Sequence, residues 1–145
     1  MSHGEGTFQF PVRVYWEDTD AGGIVFYANY LKFFERARTE WLRALGIGQQ
    51  ALKESEGGMF VVSECHLNYQ RPARLDDLLL VTARVSEVGR ASLTIEQSAL
   101  LNPQRPDGSP ILLCDGRVRI GWVDARSLRP QRIPASVLER LTAGA

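Results

Sequence analysis

Residues 15–30 read Tyr-Trp-Glu-Asp-Thr-Asp-Ala-Gly-Gly-Ile-Val-Phe-Tyr-Ala-Asn-Tyr. Glu17, Asp18 and Asp20 crowd carboxylates at what reads as the end of a strand; Gly22 and Gly23 follow, then the apolar run Ile24, Val25 and Phe26. A merely solvated acidic turn has no need of that run, which should bring the loop back to the core. A carboxylate beside it is expected to be partly desolvated, and its acidic neighbours disfavour the charged form further. Such a group can serve as a base or a nucleophile near neutral pH. The helix that should begin near Asn29 supplies the complement. Its first backbone N–H groups lack intrahelical partners, and its dipole makes this end positive. A carbonyl oxygen placed there is polarised, and negative charge developing on it is stabilised. The glycines, lacking Cβ, allow close approach. Carboxylate, glycine loop and helix start together suit attack on an ester or thioester carbonyl.

Other chemistries fit less well. The 145 residues include two His (His3 and His66) and two Cys (Cys65 and Cys114), too few for a zinc knuckle or a disulfide framework. Asp18 and Asp20 have the Asp-x-Asp form of a hard-metal site, but no second oxygen-rich cluster accompanies them. Acidic residues just before the glycines would repel phosphate. The 17 basic and 17 acidic residues cancel, without the basic excess of a nucleic-acid binder. No apolar stretch is long enough for a transmembrane helix, and no secretory signal is visible at the N-terminus. A reduced, cytoplasmic protein needing no metal or redox cofactor is the expectation. Arginine dominates the basic residues, with Lys32 and Lys53 the exceptions. This is ordinary for some genomes, but it also suits phosphate recognition by the guanidinium fork.

The elements that must position this segment follow from periodicity. Residues 8–16 alternate, with Phe8, Phe10, Val12, Val14 and Trp16 on one face of a strand. Tyr30, Phe33, Phe34, Ala37, Trp41, Leu42 and Leu45 recur at helical spacing, so a long amphipathic helix is predicted from Asn29, a candidate N-cap, to Leu45, with Gly46 ending it. A short helix around 49–55 follows. Strands are predicted over 59–69, 77–88, 91–101 and 111–123, with a tight turn at Gly89-Arg90 and a polar loop from Asn102 to Pro110. Residues 134–141 read as a terminal helix with Pro134 in its first turn. Cys65 and Cys114 fall on the apolar faces of their strands and are expected in the core. His66 lies on the more polar face. One long helix against a run of antiparallel strands gives an α+β fold in one domain spanning 1–145, with residues 1–7 flexible.

The chain resembles the hotdog-fold acyl-CoA thioesterases of the 4-hydroxybenzoyl-CoA thioesterase type, nearest the bacterial branch associated with the Tol–Pal system. The resemblance rests on Pro11-Val12-Arg13-Val14-Tyr15, Glu17-Asp18-Thr19-Asp20-Ala21-Gly22-Gly23, Asn29-Tyr30, the stretch from Phe33 to Glu40, and Pro72-Ala73-Arg74-Leu75-Asp76-Asp77. It implies an antiparallel sheet wrapped around one central helix, and thioester hydrolysis to a carboxylate and free CoA. By this resemblance Asp20 is the catalytic carboxylate, acting as nucleophile or as general base for water. The backbone N–H of Tyr27 polarises the carbonyl; relatives often carry His at that position. Tyr15, Gly23, Glu35, Ser63, Arg90 and Ser92 are the implied substrate-binding residues. Glu35 would lie by the acyl group, although an ion pair with Arg36 or Arg38 accounts for it equally well. Arg90 would meet a CoA phosphate and Ser92 the pantetheine arm. Ser63 would face a neighbouring subunit's Asp20, since relatives are homodimers or homotetramers with sites between subunits. CoA enters only as part of the substrate, and acyl carrier protein is an alternative donor. A dehydratase, which usually needs a His beside its acid, and a non-catalytic acyl-CoA-binding module are the competing readings.

Overall fold

The computed structural model describes residues 7–102 and 107–143. The expectation of a flexible N-terminus, His3 and part of the polar loop before Pro110 lie largely outside that range. The elements are strand β1 (Phe8–Arg13), a 3-10 turn (Trp16–Asp18), helices α1 (Asn29–Ala44) and α2 (Gln49–Glu56), strands β2 (Gly58–Tyr69), β3 (Leu78–Val88), β4 (Ser92–Leu101) and β5 (Ile111–Asp124), and helix α3 (Ala135–Ala143). The five strands form one antiparallel sheet in the order β1-β3-β4-β5-β2. This is the predicted α+β architecture, with α1 packed on one face of the sheet.

The spacing of apolar residues on α1 decides that packing. Tyr30, Phe33, Phe34, Ala37, Trp41 and Leu42 are buried, at the intervals that put them on one helical face. The first four meet Val12, Val14, Leu79, Val81, Ala99 and Cys114. Trp41 and Leu42 join Ala83, Ile95, Val118, Ile120 and Trp122, where Val137 and Leu141 of α3 close the far end. The helix stops at Gly46, in the left-handed region at φ +80°. Ile47 N–H donates to Leu42 O and Gly46 N–H to Arg43 O, the paired bonds of a Schellman ending, and Ile47 is buried.

Three sequence expectations change. Strand β1 ends at Arg13, and Trp16 turns outward in the 3-10 turn with 80% of its surface exposed, because the chain leaves the sheet before the alternation is complete. Asn29 is the first residue of α1 rather than its cap; its side chain turns away to another partner. Cys65 pairs in register with buried Val118 and so does face the α1 side, yet it is exposed. Strand β2 lies at the sheet's edge, where the single chain provides no cover for the middle of the strand.

The β3–β4 ladder has an interruption that the strand pattern did not signal. Pairing runs from Val81↔Ala99 to Arg84↔Glu96, and side chains bridge the gap. Gln97, 1% exposed, donates from Nε2 to Thr82 O and to Phe34 O of α1, while Ser98 N–H donates to Thr82 Oγ1. The buried backbone groups are thereby satisfied, and helix and sheet share an anchor.

Candidate active site

The loop from Tyr15 to Ala28 is fixed by Asp18. Its carboxylate accepts a hydrogen bond from Tyr15 N–H at 2.8 Å, and its carbonyl accepts from Phe26 N–H at 3.0 Å and Asn29 Nδ2 at 2.8 Å. Asp18, not Asp20, is therefore the acidic residue that enters the core, at 7% exposure. The expectation of a partly desolvated carboxylate beside Ile24, Val25 and Phe26 is met by a residue whose bonds are all local and structural. Asp20 is exposed.

Asp20 sits in a small hairpin. Its N–H donates to Ile24 O, its carbonyl accepts from Gly23 N–H, and Thr19 bridges Val25. Gly23 takes φ +78°, which only glycine adopts readily. The Asp20 carboxylate accepts one hydrogen bond, from Gly22 N–H at 2.8 Å, and keeps its remaining acceptor capacity. The hairpin folds Asp20 back against the strand that leads to Tyr27. Beyond it, Phe26 O and Tyr27 O accept from Asn29 N–H and Tyr30 N–H, while Tyr27 N–H has no protein acceptor among the described residues. An exposed carboxylate and an unengaged N–H at a helix start are thus held by one rigid turn.

The outer side of that turn rests on residues 73–77. Val25 N–H donates to Ala73 O, Leu75 N–H to Gly23 O, and Ile24 bridges Arg74. Tyr30, buried under the loop, accepts from Ala73 N–H at its hydroxyl, and burial pushes its phenol above the ordinary value. Next to these groups a cavity of about 320 Å³ is lined mainly by Ile24, Val25, Tyr27, Tyr30, Tyr69 and Pro72. Its rings are in mutual contact: Tyr69 lies 6.0 Å from Tyr27 and 5.7 Å from Tyr30, centroid to centroid. With Tyr15, Trp16, Phe26 and Tyr27 all exposed, the region is far more aromatic than a protein surface normally is.

The sequence-predicted residues fall into two groups. Tyr15, Asp20, Gly23 and the Tyr27 N–H belong to this loop. Glu35 stands two turns along α1, its Oε2 accepting from Thr39 Oγ1 at 2.7 Å rather than pairing directly with Arg36 or Arg38. Ser63, Arg90 and Ser92 are elsewhere. The Gly89–Ser92 turn joins β3 to β4 at the end of β3 remote from the Asp20 loop, about 33 Å along the strand by its rise per residue. Ser92 Oγ accepts from Arg119 Nε and Nη2 at 3.4 Å each. Ser63 donates to Arg119 O from the bulged part of β2. Ser92, His66, Arg117 and Arg119 help line a cavity of about 560 Å³ on the sheet face opposite α1; Arg90 is not among its lining residues. One chain thus does not unite the Ser63, Arg90 and Ser92 group with Asp20.

Two features escaped sequence reasoning. The bracing role of residues 73–77 was foreshadowed only by their motif. Arg38, within the polar stripe of α1, actually turns inward and donates from Nη1 to Gln97 Oε1 at 2.9 Å; its burial lowers the pKa of the guanidinium. A Gln on the apolar face of a predicted strand was the available signal. Among the described residues no three His, Cys, Asp or Glu side chains converge as a metal site would require, and no helix is long and apolar enough to cross a membrane.

Comparison with known proteins identifies the family and the fold. Residues 22–105 match the family model described as the thioesterase superfamily. The chain is 45% identical over 130 residues to the acyl-CoA thioesterase YbgC of Haemophilus influenzae, covering 90% of each protein. A probable thioesterase from Bartonella henselae superimposes with a TM-score of 0.79 at 35% identity, covering 88% of this chain and 99% of that one. A 4-hydroxybenzoyl-CoA thioesterase mutant, complexed with 4-hydroxybenzoyl-CoA, reaches 0.86 at 21% identity over 94% of this chain and 99% of its own, a likeness of fold. The helix laid on an antiparallel sheet, the acidic glycine loop and these matches place the chain in the thioesterase superfamily, with the hotdog fold.

Proposed function

We propose that this protein hydrolyses acyl-CoA thioesters to a free carboxylate and CoA, with Asp20 and the Tyr27 N–H as its catalytic groups. The observation that carries the reading is their pairing: an accessible carboxylate with one local hydrogen bond, and an N–H with no protein acceptor, on the same braced loop. Relatives bearing the name acyl-CoA thioesterase support the substrate class. In one route Asp20 takes a proton from water as the water oxygen attacks the thioester carbon. In the other its carboxylate attacks directly, and water then hydrolyses the mixed anhydride. In both, the carbonyl oxygen gains negative charge and accepts from Tyr27 N–H, an interaction that strengthens in the transition state. The tetrahedral intermediate collapses with loss of the C–S bond, in the second route before water arrives, and the CoA thiolate takes its proton from Asp20 in the first route and from solvent in the second. These steps require no metal or redox cofactor.

The acyl group would lie in the aromatic cavity beside Tyr27 and Tyr69, with Tyr15 and Gly23 at its mouth and Glu35 farther along α1. Completion of the site by a second copy accounts for the distance of the Gly89–Ser92 turn. Strand β2 offers a 12-residue edge with exposed apolar groups, Val62 and Tyr69 among them, suited to pairing with its own copy. A homodimer or homotetramer so formed would bring Ser63, Arg90 and Ser92 of one subunit toward Asp20 of another, Arg90 serving a CoA phosphate. The cytoplasm, where CoA thioesters are made and used, is the corresponding location, and acyl carrier protein is the alternative donor. The test is thiol release from a panel of acyl-CoA and acyl-carrier thioesters by the wild type and by Asp20→Asn. Equal rates in the two proteins would remove Asp20 from the chemistry. Binding of these thioesters without release by the wild type would identify a binding module instead.

A further inference from the structure

The hairpin that carries Asp20 is tied to the rest of the protein at one place. Among the described residues, its hydrogen bonds outside the 15–29 loop go only to Ala73 and Leu75. Val25 N–H donates to Ala73 O at 2.9 Å, and Leu75 N–H donates to Gly23 O at 3.4 Å. Ala73 N–H in turn donates to the Tyr30 hydroxyl of α1 at 3.1 Å. The other end of this strip is held by the exit of β1. Val14 N–H donates to Asp77 O at 2.9 Å, Asp76 N–H to Val14 O at 3.0 Å, and Arg13 Nη1 to Asp76 O at 2.8 Å. Residues 73–77 therefore stand between the sheet and the hairpin, and through Tyr30 they also meet the first turn of α1. They join the two bodies that carry the Asp20 carboxylate and the helix start.

The bend within the strip is strained. Asp76 takes φ +72°, a left-handed conformation that is unfavourable for a residue with a Cβ. Such a conformation persists only where its surroundings over-determine it. Both backbone groups of Asp76 are engaged by the β1 exit, and the turn is closed twice between Arg74 and Asp77. Asp77 N–H donates to Arg74 O at 3.1 Å, and Arg74 N–H donates to Asp77 Oδ2 at 2.9 Å. A turn that served only to connect would form more readily with glycine at position 76. An aspartate there has fewer accessible conformations, so the turn is stiffer. The Asp77 carboxylate is the side chain that closes it. Alanine at 77 keeps the backbone closure and loses the carboxylate bond, with little effect on packing, because Asp77 is half-buried and Arg74 is exposed.

We propose that Asp77 is a positioning residue for thioester hydrolysis, holding the turn from which the strip fixes Asp20 relative to Tyr27 N–H. The proposal rests on the hydrolase reading given above and adds to it a residue that touches neither substrate nor reacting atoms. The experiment measures thiol release from acetyl-, octanoyl- and benzoyl-CoA by the full-length wild type, Asp77→Ala, Asp77→Asn and Gly116→Ala, each well below its Tm. Asp77→Ala should lower kcat by about 10- to 100-fold on every acyl group that the wild type hydrolyses, with KM within about twofold, as expected for misplaced reacting groups. The loss is common to all acyl groups because Asp20 and Tyr27 N–H act on the thioester itself. Its Tm should fall by no more than about 5 °C, since the exposed Arg74 N–H turns to water. Asp77→Asn keeps an oxygen acceptor for Arg74 N–H and should recover kcat to within about threefold of wild type. Gly116→Ala, destabilised where β5 meets β2, controls for stability alone and should keep kcat. Hydrogen exchange in Asp77→Ala should quicken at Val25 and Leu75 while the sheet amides stay protected. An unchanged kcat in Asp77→Ala would overturn the proposal and leave the hydrolase reading standing. So would equal losses in Asp77→Asn and Asp77→Ala, or a loss as large in Gly116→Ala. No release from any of the three thioesters by the wild type would overturn the hydrolase reading, and the proposal with it.

Discussion

The side-chain amide of Asn29 donates from Nδ2 to the backbone carbonyl oxygen of Asp18 at 2.8 Å. This bond ties the first turn of α1 to the loop that carries Asp20, and the same carbonyl also holds Phe26 N–H. Position and direction of the candidate N–H donor and the candidate carboxylate are thus coupled through one acceptor. Asn29→Ala removes the amide while leaving the second bond to Asp18 O in place. The expected cost in stability is about 1 kcal/mol. Since misplacement of reacting groups is penalised far more steeply than lost binding, kcat should fall by about tenfold or more and KM change little. Steady-state kinetics beside thermal denaturation checks this; an unchanged kcat would separate the loop's position from catalysis.

Asp20→Asn keeps the acceptor for Gly22 N–H and the shape of the side chain. It should fold with an unchanged Tm and lose about 100- to 10,000-fold in kcat, the range for removal of a positioned acid–base group. Asp18→Asn probes the opposite case. The residue is buried and its carboxylate accepts from Tyr15 N–H, so this variant should lose stability as well as rate. A loss of Tm in Asp20→Asn, or none in Asp18→Asn, would reverse the roles given to the two.

Gln97→Leu leaves Thr82 O in the interior without its side-chain donor and the half-buried Arg38 without its acceptor. A cost of about 2–3 kcal/mol follows from stranding buried polar groups, a fall in Tm of roughly 5–10 °C for a chain of this size. Urea denaturation monitored by tryptophan fluorescence provides the measurement. A stabilised Gln97→Leu would mean the network is dispensable packing.

Gly116 approaches β2 so closely that a Cβ there would strike His66 O and the Leu67 side chain. Gly116→Ala should push the edge strand away from β5 and destabilise the protein by about 1–3 kcal/mol. Hydrogen exchange should report the loss first on β2 amides opposite it. Uniform protection in the variant would count against that account.

The Cys114 thiol is pushed up to about 12 by burial, with Asp115 adding to the shift. The unfolded chain loses that proton near 9, the folded chain only near 12. The associated stability is therefore complete below pH 9 and is lost as pH rises from 9 toward 12. The Tm of the wild type should fall more steeply across that window than that of Cys114→Ala. Alkylating reagents should leave Cys114 unmodified until the chain unfolds.

Much of this protein was legible in its residues alone because the deciding signals are local. The intervals among Tyr30, Phe33, Phe34, Ala37, Trp41 and Leu42 follow from helix geometry, and so predicted both α1 and the face it buries. The sequence from Asp18 through Gly23 announced a tight acidic loop before a helix, since the φ of +78° taken by Gly23 lies in the left-handed region that favours glycine. Other features depended on contacts between distant segments. Asp18 and Asp20 are alike in type and two positions apart. Only the return of Phe26 and Asn29 onto the Asp18 backbone decided which is buried and which is free. Arg38 reads as surface by helical spacing, and it turned inward because Gln97, 59 residues later, presents a fixed acceptor in the gap of the β3–β4 ladder. Cys65 has the side chain and the face of a core residue, yet β2 is an edge, and an edge is a fact of sheet order. Periodicity reports which face a side chain takes. Which faces are covered, and which buried groups find partners, is decided when the elements meet.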